Sequence, residues 1–466
     1  MRNLASCVAL CTALAMPLVM TPAVSAQQTS AAPSSAAAAA STSAAAPASA
    51  EPSAAATSAA KATEEQGSNG SSLSSDSGLQ PNTNATPGAN FTGQKSQIEE
   101  NPSWILSENK FADKAWAGDL DRYSQYTDSQ GRKRVVAMAA TSPSMNNAKI
   151  PLGIIRAKDA NRPTMYLLNG AGGGEQSTNW MTFDSAIRFY LDRNVNVVVP
   201  MRGAFTYYID WYDKKGAKGE AYIDGPQNWE TFLTKELAEP IEQTLGSNGQ
   251  RGIVGLSMSA TSSLLLAARN PGFYKAVGSY SGCASTSRPI PYMFASITLQ
   301  REGISPRQVF GPMGGSYNTE HDALVKAEGL RGSAIYVSNA TGLMSQNETF
   351  NKLRKEGAES AAAANTSSDI VVQGGLIEGA TNACTHDLRA KLNGLNIPAD
   401  YKFRNTGVHT WYYWLDDMRE SWPTFARGFG LAGKGFAAVL NQGGGGDKET
   451  HIASAVADKR ALLIAD

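Results

Sequence analysis

The segment Gly252-Ile253-Val254-Gly255-Leu256-Ser257-Met258-Ser259-Ala260 carries the sharpest chemical signal in the sequence. An apolar run suited to a buried strand feeds a serine flanked by small residues, and a helical pattern follows at once, ending at Asn270-Pro271-Gly272. A strand-to-helix turn this tight strains the serine backbone and leaves the hydroxyl at the tip, the arrangement of a nucleophile elbow. Residues two positions away must be small for the turn to close. Gly255 fills the first such position and Ser259 the second, where glycine is more usual. The helix N-terminus behind Ser257 favours the negative charge that develops during attack. Ser257 is therefore the expected nucleophile.

A nucleophilic serine needs a base, and the base needs an orienting acid, in the chain order Ser, acid, His for this kind of turn. The sequence has four histidines. His321 sits in a polar stretch with no strand before it, His386 falls inside a helical pattern over 378–393, and His451 lies near the C-terminus. His409 lies in the loop Thr406-Gly407-Val408-His409-Thr410-Trp411, directly after the last strand-like run, and is the expected base. Glu378, Asp387 and Asp400 stand between serine and base. Glu378 follows Leu376-Ile377 and opens the helical pattern. Asp387 is nine residues on and, at about 100° per residue, falls on the opposite helix face. Asp400 sits beside the start of the last strand. Position favours Glu378.

Two backbone N–H groups must receive the oxyanion. Met258, the residue after the nucleophile, offers one. The run Met165-Tyr166-Leu167-Leu168 leads into Asn169-Gly170-Ala171-Gly172-Gly173-Gly174, a glycine-rich turn after an early strand that suits the other. A phosphate-cradling loop would continue into Gly-Lys-Ser/Thr, which this turn lacks. The chemistry so read calls for no metal and no cofactor.

These residues require elements to bring them together. β-rich runs occur at 135–140, 150–156, 165–168, 195–199, 252–256, 276–280, 334–338 and 401–404, with helical spacing at 231–245 and 259–269. Strands alternating with helices imply a mostly parallel sheet covered on both faces, and the first two runs, separated by Asn146-Asn147, read as an antiparallel hairpin. The fold class is α/β, of the α/β-hydrolase kind. Segment 285–315, with four prolines, reads as a cap over the site or as a surface excursion. Trp180, Trp211, Trp229 and Trp414 read as packing residues rather than sugar platforms.

The chain has 466 residues with 41 basic and 41 acidic side chains, a balance that gives no electrostatic case for nucleic acid as a partner. Arg2, an apolar stretch and Pro22-Ala23-Val24-Ser25-Ala26 read as a signal peptide over 1–26, cut after Ala26, rather than a lasting transmembrane anchor. Residues 27–100 are rich in Ala, Ser, Thr, Pro and Gly and predict a disordered tether. The catalytic domain is expected over 101–440 and a loose tail over 441–466. Cys7 and Cys11 leave with the signal. Cys283 and Cys384 remain, and in an exported chain they suggest one disulfide, which would brace the helix of Glu378.

Taken together, Tyr166-Leu167-Leu168-Asn169-Gly170, Asp210-Trp211-Tyr212, the run Trp229 to Leu237, Gly255-Leu256-Ser257-Met258, Leu376-Ile377-Glu378-Gly379 and Gly407-Val408-His409-Thr410-Trp411 resemble, in order, segments of the antigen 85 mycolyltransferases and their corynebacterial relatives. The Ser142-Pro143-Ser144-Met145 hairpin is similar as well. The resemblance implies a Ser257–Glu378–His409 triad, oxyanion donors at the Ala171 and Met258 N–H, and sugar contacts at Asn169, Thr410 and Trp411. It implies a secreted or envelope-associated enzyme that moves a mycolic acyl group from trehalose monomycolate to trehalose or a cell-wall arabinan acceptor. Asn169 departs from the family's aspartate, and Gly172 stands where arginine is frequent, so the expected sugar pocket loses charge. The rival expectations are a secreted carboxylesterase using the same three residues and a non-catalytic wall-binding protein on the same fold.

Overall fold

The computed structural model describes residues 93–107, 115–355 and 357–431. The expected signal peptide, nearly all of the tether, and the tail with His451 lie outside the described residues.

Nine strands form one sheet. They are β1 (Ile98–Glu100), β2 (Val135–Ser142), β3 (Ala148–Ile155), β4 (Arg162–Leu168), β5 (Asn196–Pro200), β6 (Ser247–Leu256), β7 (Ala276–Tyr280), β8 (Ala334–Ala340) and β9 (Asp400–Arg404). Their spatial order is β1-β2-β3-β5-β4-β6-β7-β8-β9. β1, β2, β3 and β5 pair antiparallel, while β5, β4, β6, β7, β8 and β9 pair parallel. This order, with its antiparallel start and its crossing at β4 and β5, is that of the α/β-hydrolase fold.

The parallel strands read as nearly unbroken apolar runs because both faces are covered. Successive residues feed opposite cores. Ile253, Val277, Ile335 and Val337 join one cluster, whereas Val254, Leu256, Ala276 and Tyr336 join the other. On the first face lie α2 (Met258–Arg269), through Leu264 and Leu265, and α6 (Gly375–Gly394), through Leu388 and Leu392. On the second lie α1 (Asp184–Arg193) and α7 (Trp411–Gly428). All four tryptophans read as packing residues are buried.

Three sequence expectations change. The last residues assigned to the tether are part of the sheet: Ile98–Glu100 pair with Met138–Ala140, and the Ser96 N–H donates to the Glu236 carbonyl at 3.1 Å. The helix of Glu378 does not start there. It begins as α5 (Ser360–Asp369), widens into one π-helical turn (Ile370–Gly374) and continues as α6. Segment 285–315 folds as α3 (Pro289–Gln300) and a short helix Pro306–Phe310, with Leu299, Val309 and Phe310 in the core.

β4 and β6 are neighbours at the centre, with Leu168 in register with Gly255. The chain leaves β4 towards β5 on one side, while β6 and its successors extend on the other. A crevice opens beyond the carboxyl ends at such a switch point. The glycine-rich turn and Ser257 emerge from those two strand ends side by side.

Candidate active site

Ser257 joins β6 to α2 with φ 56° and ψ −125°, a region that L-residues rarely adopt and that costs on the order of 1–3 kcal/mol. Gly255 permits the turn, since a Cβ there would lie 1.9 Å from the Ser259 carbonyl oxygen. Ser259 has a reason to replace glycine. Its Oγ accepts from the Leu256 N–H at 3.0 Å and lies 3.1 Å from the Leu168 carbonyl, so the hydroxyl stitches the elbow to β4.

His409 Nε2 lies 2.7 Å from Ser257 Oγ, and His409 Nδ1 lies 2.7 Å from Glu378 Oε2. The imidazole and the carboxylate are both buried, while Ser257 is half-buried and reaches the surface. The other acids and histidines stand elsewhere. Asp387 is exposed and pairs with Arg288 at 2.8 Å. Asp400 pairs with Thr424 and Arg427. His386 stacks on Phe403, and His321 Nδ1 donates to the Tyr317 carbonyl at 2.8 Å.

The second oxygen of Glu378 accepts from three donors that the sequence reading missed: Asn339 Nδ2 at 2.7 Å, the Ala340 N–H at 2.7 Å and Ser281 Oγ at 2.8 Å. Ser281 in turn accepts from Trp414 Nε1 at 3.1 Å, and Thr385 donates to Asn339 Oδ1 at 2.9 Å. The one available signal was a polar Ser338-Asn339 pair at the carboxyl end of an otherwise apolar strand. Cys283 and Cys384 form a disulfide with Cα atoms 5.0 Å apart, tying the loop after β7 to α6 one residue before Thr385.

The glycine-rich turn is fastened from below. The Phe205 N–H donates to the Ala171 carbonyl at 2.7 Å, and Glu175 accepts from the Gly203 and Ala204 N–H groups at 3.0 and 3.2 Å. Gly174 is required by contact, because a Cβ there would lie 2.3 Å from Met201 Cα. Burial pushes the Glu175 carboxyl up to about 7 despite the nearby Arg202. Among the described residues, neither the Ala171 N–H nor the Met258 N–H takes part in the backbone hydrogen bonds of the turns and loops.

The three expected sugar contacts separate. Asn169 is fully buried, donates to the Pro200 carbonyl at 3.2 Å and accepts from the Trp180 N–H at 3.0 Å, so it braces the turn instead of presenting an open ligand. Thr410 Oγ1 and Trp411 Nε1, immediately after the imidazole, are buried polar atoms without a hydrogen-bond partner among the described residues. The Trp411 ring packs against Trp180 and Phe183 with centroids at 5.2 and 4.6 Å.

A serine whose hydroxyl meets an imidazole, in turn held by a buried carboxylate, belongs to the acyl-transferring serine hydrolases. The Esterase family profile matches residues 143–425. The chain belongs to that family. It is 26% identical over 268 residues to the diacylglycerol acyltransferase/mycolyltransferase Ag85A of Mycobacterium ulcerans, covering 56% of this chain and 73% of that one. It is 27% identical over 271 residues to the protein of the same name from Mycobacterium leprae, covering 57% and 74%. Among solved structures, Mycobacterium tuberculosis MPT51 (FbpC1) aligns with a TM-score of 0.48 and 20% identity, over 62% of this chain and 96% of that one. The protein is accordingly an enzyme of acyltransferase or esterase type. Among the described residues no helix is long and apolar enough to cross a membrane.

Proposed function

We propose that this chain is an exported mycolyltransferase that carries a long acyl group on Ser257. The donor is trehalose monomycolate, and the acceptor is trehalose or another hydroxyl of the cell envelope. The observation that carries the reading is the hydrogen-bonded line Glu378–His409–Ser257, with both links at 2.7 Å.

Ser257 Oγ attacks the ester carbonyl while His409 Nε2 takes its proton. The carbonyl oxygen gains charge facing the Ala171 and Met258 N–H groups. His409 returns the proton to the departing sugar oxygen, and the acyl group stays on Ser257. An acceptor hydroxyl then loses its proton to His409 and attacks the acyl carbonyl, and as the bond to Ser257 Oγ breaks the imidazolium passes that proton to the serine oxygen. Glu378 holds the imidazole in the tautomer with Nδ1 protonated and stabilises the imidazolium formed twice per cycle. The unpartnered Thr410 Oγ1 and Trp411 Nε1 support a sugar site beside the base. The experiment is product analysis by thin-layer chromatography, with trehalose monomycolate as donor and several sugars offered together. Trehalose dimycolate or another sugar mycolate supports the proposal.

Secreted carboxylesterase activity is the second reading. The partial exposure of Ser257 favours it, because water then reaches the acyl-enzyme. Free mycolic acid as the sole product, with abundant acceptor present, decides for it.

A further inference from the structure

Between β8 and α6 the chain makes an excursion that carries none of the three reacting groups. It comprises the loop after Ala340, the helix α4 (Phe350–Lys355), α5 and the π-helical turn. Its loop buries a carboxylate, Glu348, which is 1% exposed. Glu348 Oε1 accepts from Tyr413 Oη at 2.5 Å, and Oε2 accepts from the Ser345 N–H at 2.6 Å. With its own proton given to Glu348, Tyr413 Oη accepts from Ser345 Oγ at 2.7 Å. Ser367 of α5 donates to the Glu348 carbonyl at 2.6 Å, so the loop is tied to the helix behind it.

Tyr413 stands in the first turn of α7, directly after the loop of the base. That loop follows β9, which lies at the edge of the sheet, so among the described residues no strand flanks its outer side. The excursion fills that side. The Gly407 N–H donates to the Leu343 carbonyl at 2.6 Å, the Gly342 N–H to the Gly407 carbonyl at 2.9 Å, and the Thr341 hydroxyl to the Asn405 carbonyl at 2.7 Å. The Tyr413 ring lies beneath this clasp. Gly407 has φ 132°, and a Cβ on it would lie 2.8 Å from Ala340 Cβ and 2.9 Å from Tyr413 Cζ. The loop is therefore pinched between the end of β8 and the tyrosine, and Glu348 fixes the tyrosine.

A carboxylate is a costly way to fill such a space. Burial strips its hydration, and well-packed apolar side chains are often as stabilising as buried charged ones or more so. What the carboxylate adds is direction, because charge-assisted hydrogen bonds are short and strong. A catalytic base needs that, since it must be held within about 0.5 Å of its productive place.

We infer that Glu348, acting through Tyr413, is a positioning residue for His409, an inference that rests on the acyl-transfer reading above. Glu378 sets how the imidazole is turned. Glu348 and Tyr413 set where the loop that carries it lies.

The test uses the full chain with Glu348→Ala, Tyr413→Phe and both together, and p-nitrophenyl acetate as substrate. The value of kcat is referred to the folded fraction, read by near-UV circular dichroism. Each single change is expected to lower kcat by roughly ten- to a hundredfold with KM little altered, because a displacement of about 1 Å costs on that order. The double variant loses no more than the larger single loss, since both changes break the same bond. Glu348→Gln, which keeps the shape and an acceptor for the tyrosine, recovers part of the loss. Unaltered kcat in both single variants, or losses that multiply in the double variant, overturn the inference. A second readout needs no turnover. The His409 Nδ1 proton held by Glu378 gives a low-field proton resonance, which is expected to shift or broaden in Glu348→Ala and to return in Glu348→Gln. A resonance unaltered in Glu348→Ala also overturns the inference. If Ser257→Ala instead leaves ester turnover intact, acyl transfer through Ser257 fails, and this resonance still judges the hold on His409.

Discussion

Cys384 lies six residues beyond Glu378 on the same helix, and its bond to Cys283 fixes that helix to the loop that also supplies Ser281, a donor to the Glu378 carboxylate. The strand end, the helix and the acid are thereby one braced unit. The bridge closes a loop with a sequence separation of 101 residues, for which chain entropy gives about 4.7 kcal/mol and measured losses run about 2–5 kcal/mol. Reduction, or Cys283→Ser with Cys384→Ser, is expected to lower Tm by roughly 5–15 °C, read by differential scanning calorimetry. Ester turnover is expected to fall at temperatures where the rest of the sheet stays folded, as followed by far-UV circular dichroism.

Replacing Glu378 by Gln is expected to cost roughly ten-thousand-fold in kcat, because the acid orients and stabilises the base without attacking. Asp387→Asn, on the exposed face of the same helix, leaves kcat unaltered. Steady-state kinetics on both variants check the assignment, and a large loss in the aspartate variant would move the acid to Asp387.

Asn339→Ala removes one of three donors to the outer oxygen of Glu378. The remaining Ala340 and Ser281 donors keep the carboxylate in place but hold it less firmly. The expected result is a kcat loss of roughly ten- to a hundredfold, corresponding to one charge-assisted hydrogen bond of about 1.5–3 kcal/mol, with KM little altered. Asn339→Ser, which retains a donor, recovers part of the loss. An equal effect on KM and kcat would assign Asn339 to substrate contact instead.

Ser259→Ala leaves the buried Leu256 N–H without its acceptor, at an expected cost of about 1–3 kcal/mol in unfolding free energy. Gly255→Ala is expected to abolish soluble, active protein, since the added carbon meets the Ser259 carbonyl at 1.9 Å. Urea titration of the first variant and expression of the second test the elbow as built.

The fold was legible in the sequence where burial alone makes a strand. The runs expected at 135–140, 276–280 and 334–338 coincide with β2, β7 and β8 to within two residues. β1 was not legible, because Ile98-Glu99-Glu100 has only one apolar residue and owes its extended form to pairing with β2. The excursion of α4 and α5 was missed for a related reason. Its Ser360–Asp369 run matches the tether in composition and is held by packing of Leu353, Ala358 and Ala363 and by the Glu348–Tyr413 bond. Of the site, Ser257 and His409 were legible because each follows a strand end. Asn339 and Ser281 were not, since their role exists only where three elements converge. The bonds of Asn169 were not legible, since sequence cannot distinguish an amide that faces a ligand from one that also pins a turn.

The raised Glu175 carboxyl makes a prediction about pH. Its folded pKa is about 7 against an ordinary value of 4.5. Between those values the unfolded chain has lost the proton and the folded chain keeps it, so this group's stabilising effect declines as pH rises through that window. The lost free energy is bounded at about 3 kcal/mol. Glu175→Gln removes the titration, so its Tm relative to the parent rises from pH 5 to pH 8, whatever its fixed offset. Comparing the two proteins cancels the opposite effect of His321, whose imidazole burial pushes well below its ordinary value. A Tm difference that does not vary with pH contradicts this reading.

Acyl transfer by the proposed route passes through a covalent acyl-enzyme at Ser257. Intact-mass and peptide mass spectrometry after rapid quenching with trehalose monomycolate tests that directly. The expected result is one mycoloyl adduct on the peptide containing Ser257, lost on addition of acceptor, absent in Ser257→Ala, and accompanied in that variant by a fall in turnover on the order of a million-fold. An adduct on another residue, or full turnover by Ser257→Ala, would contradict acyl transfer through Ser257.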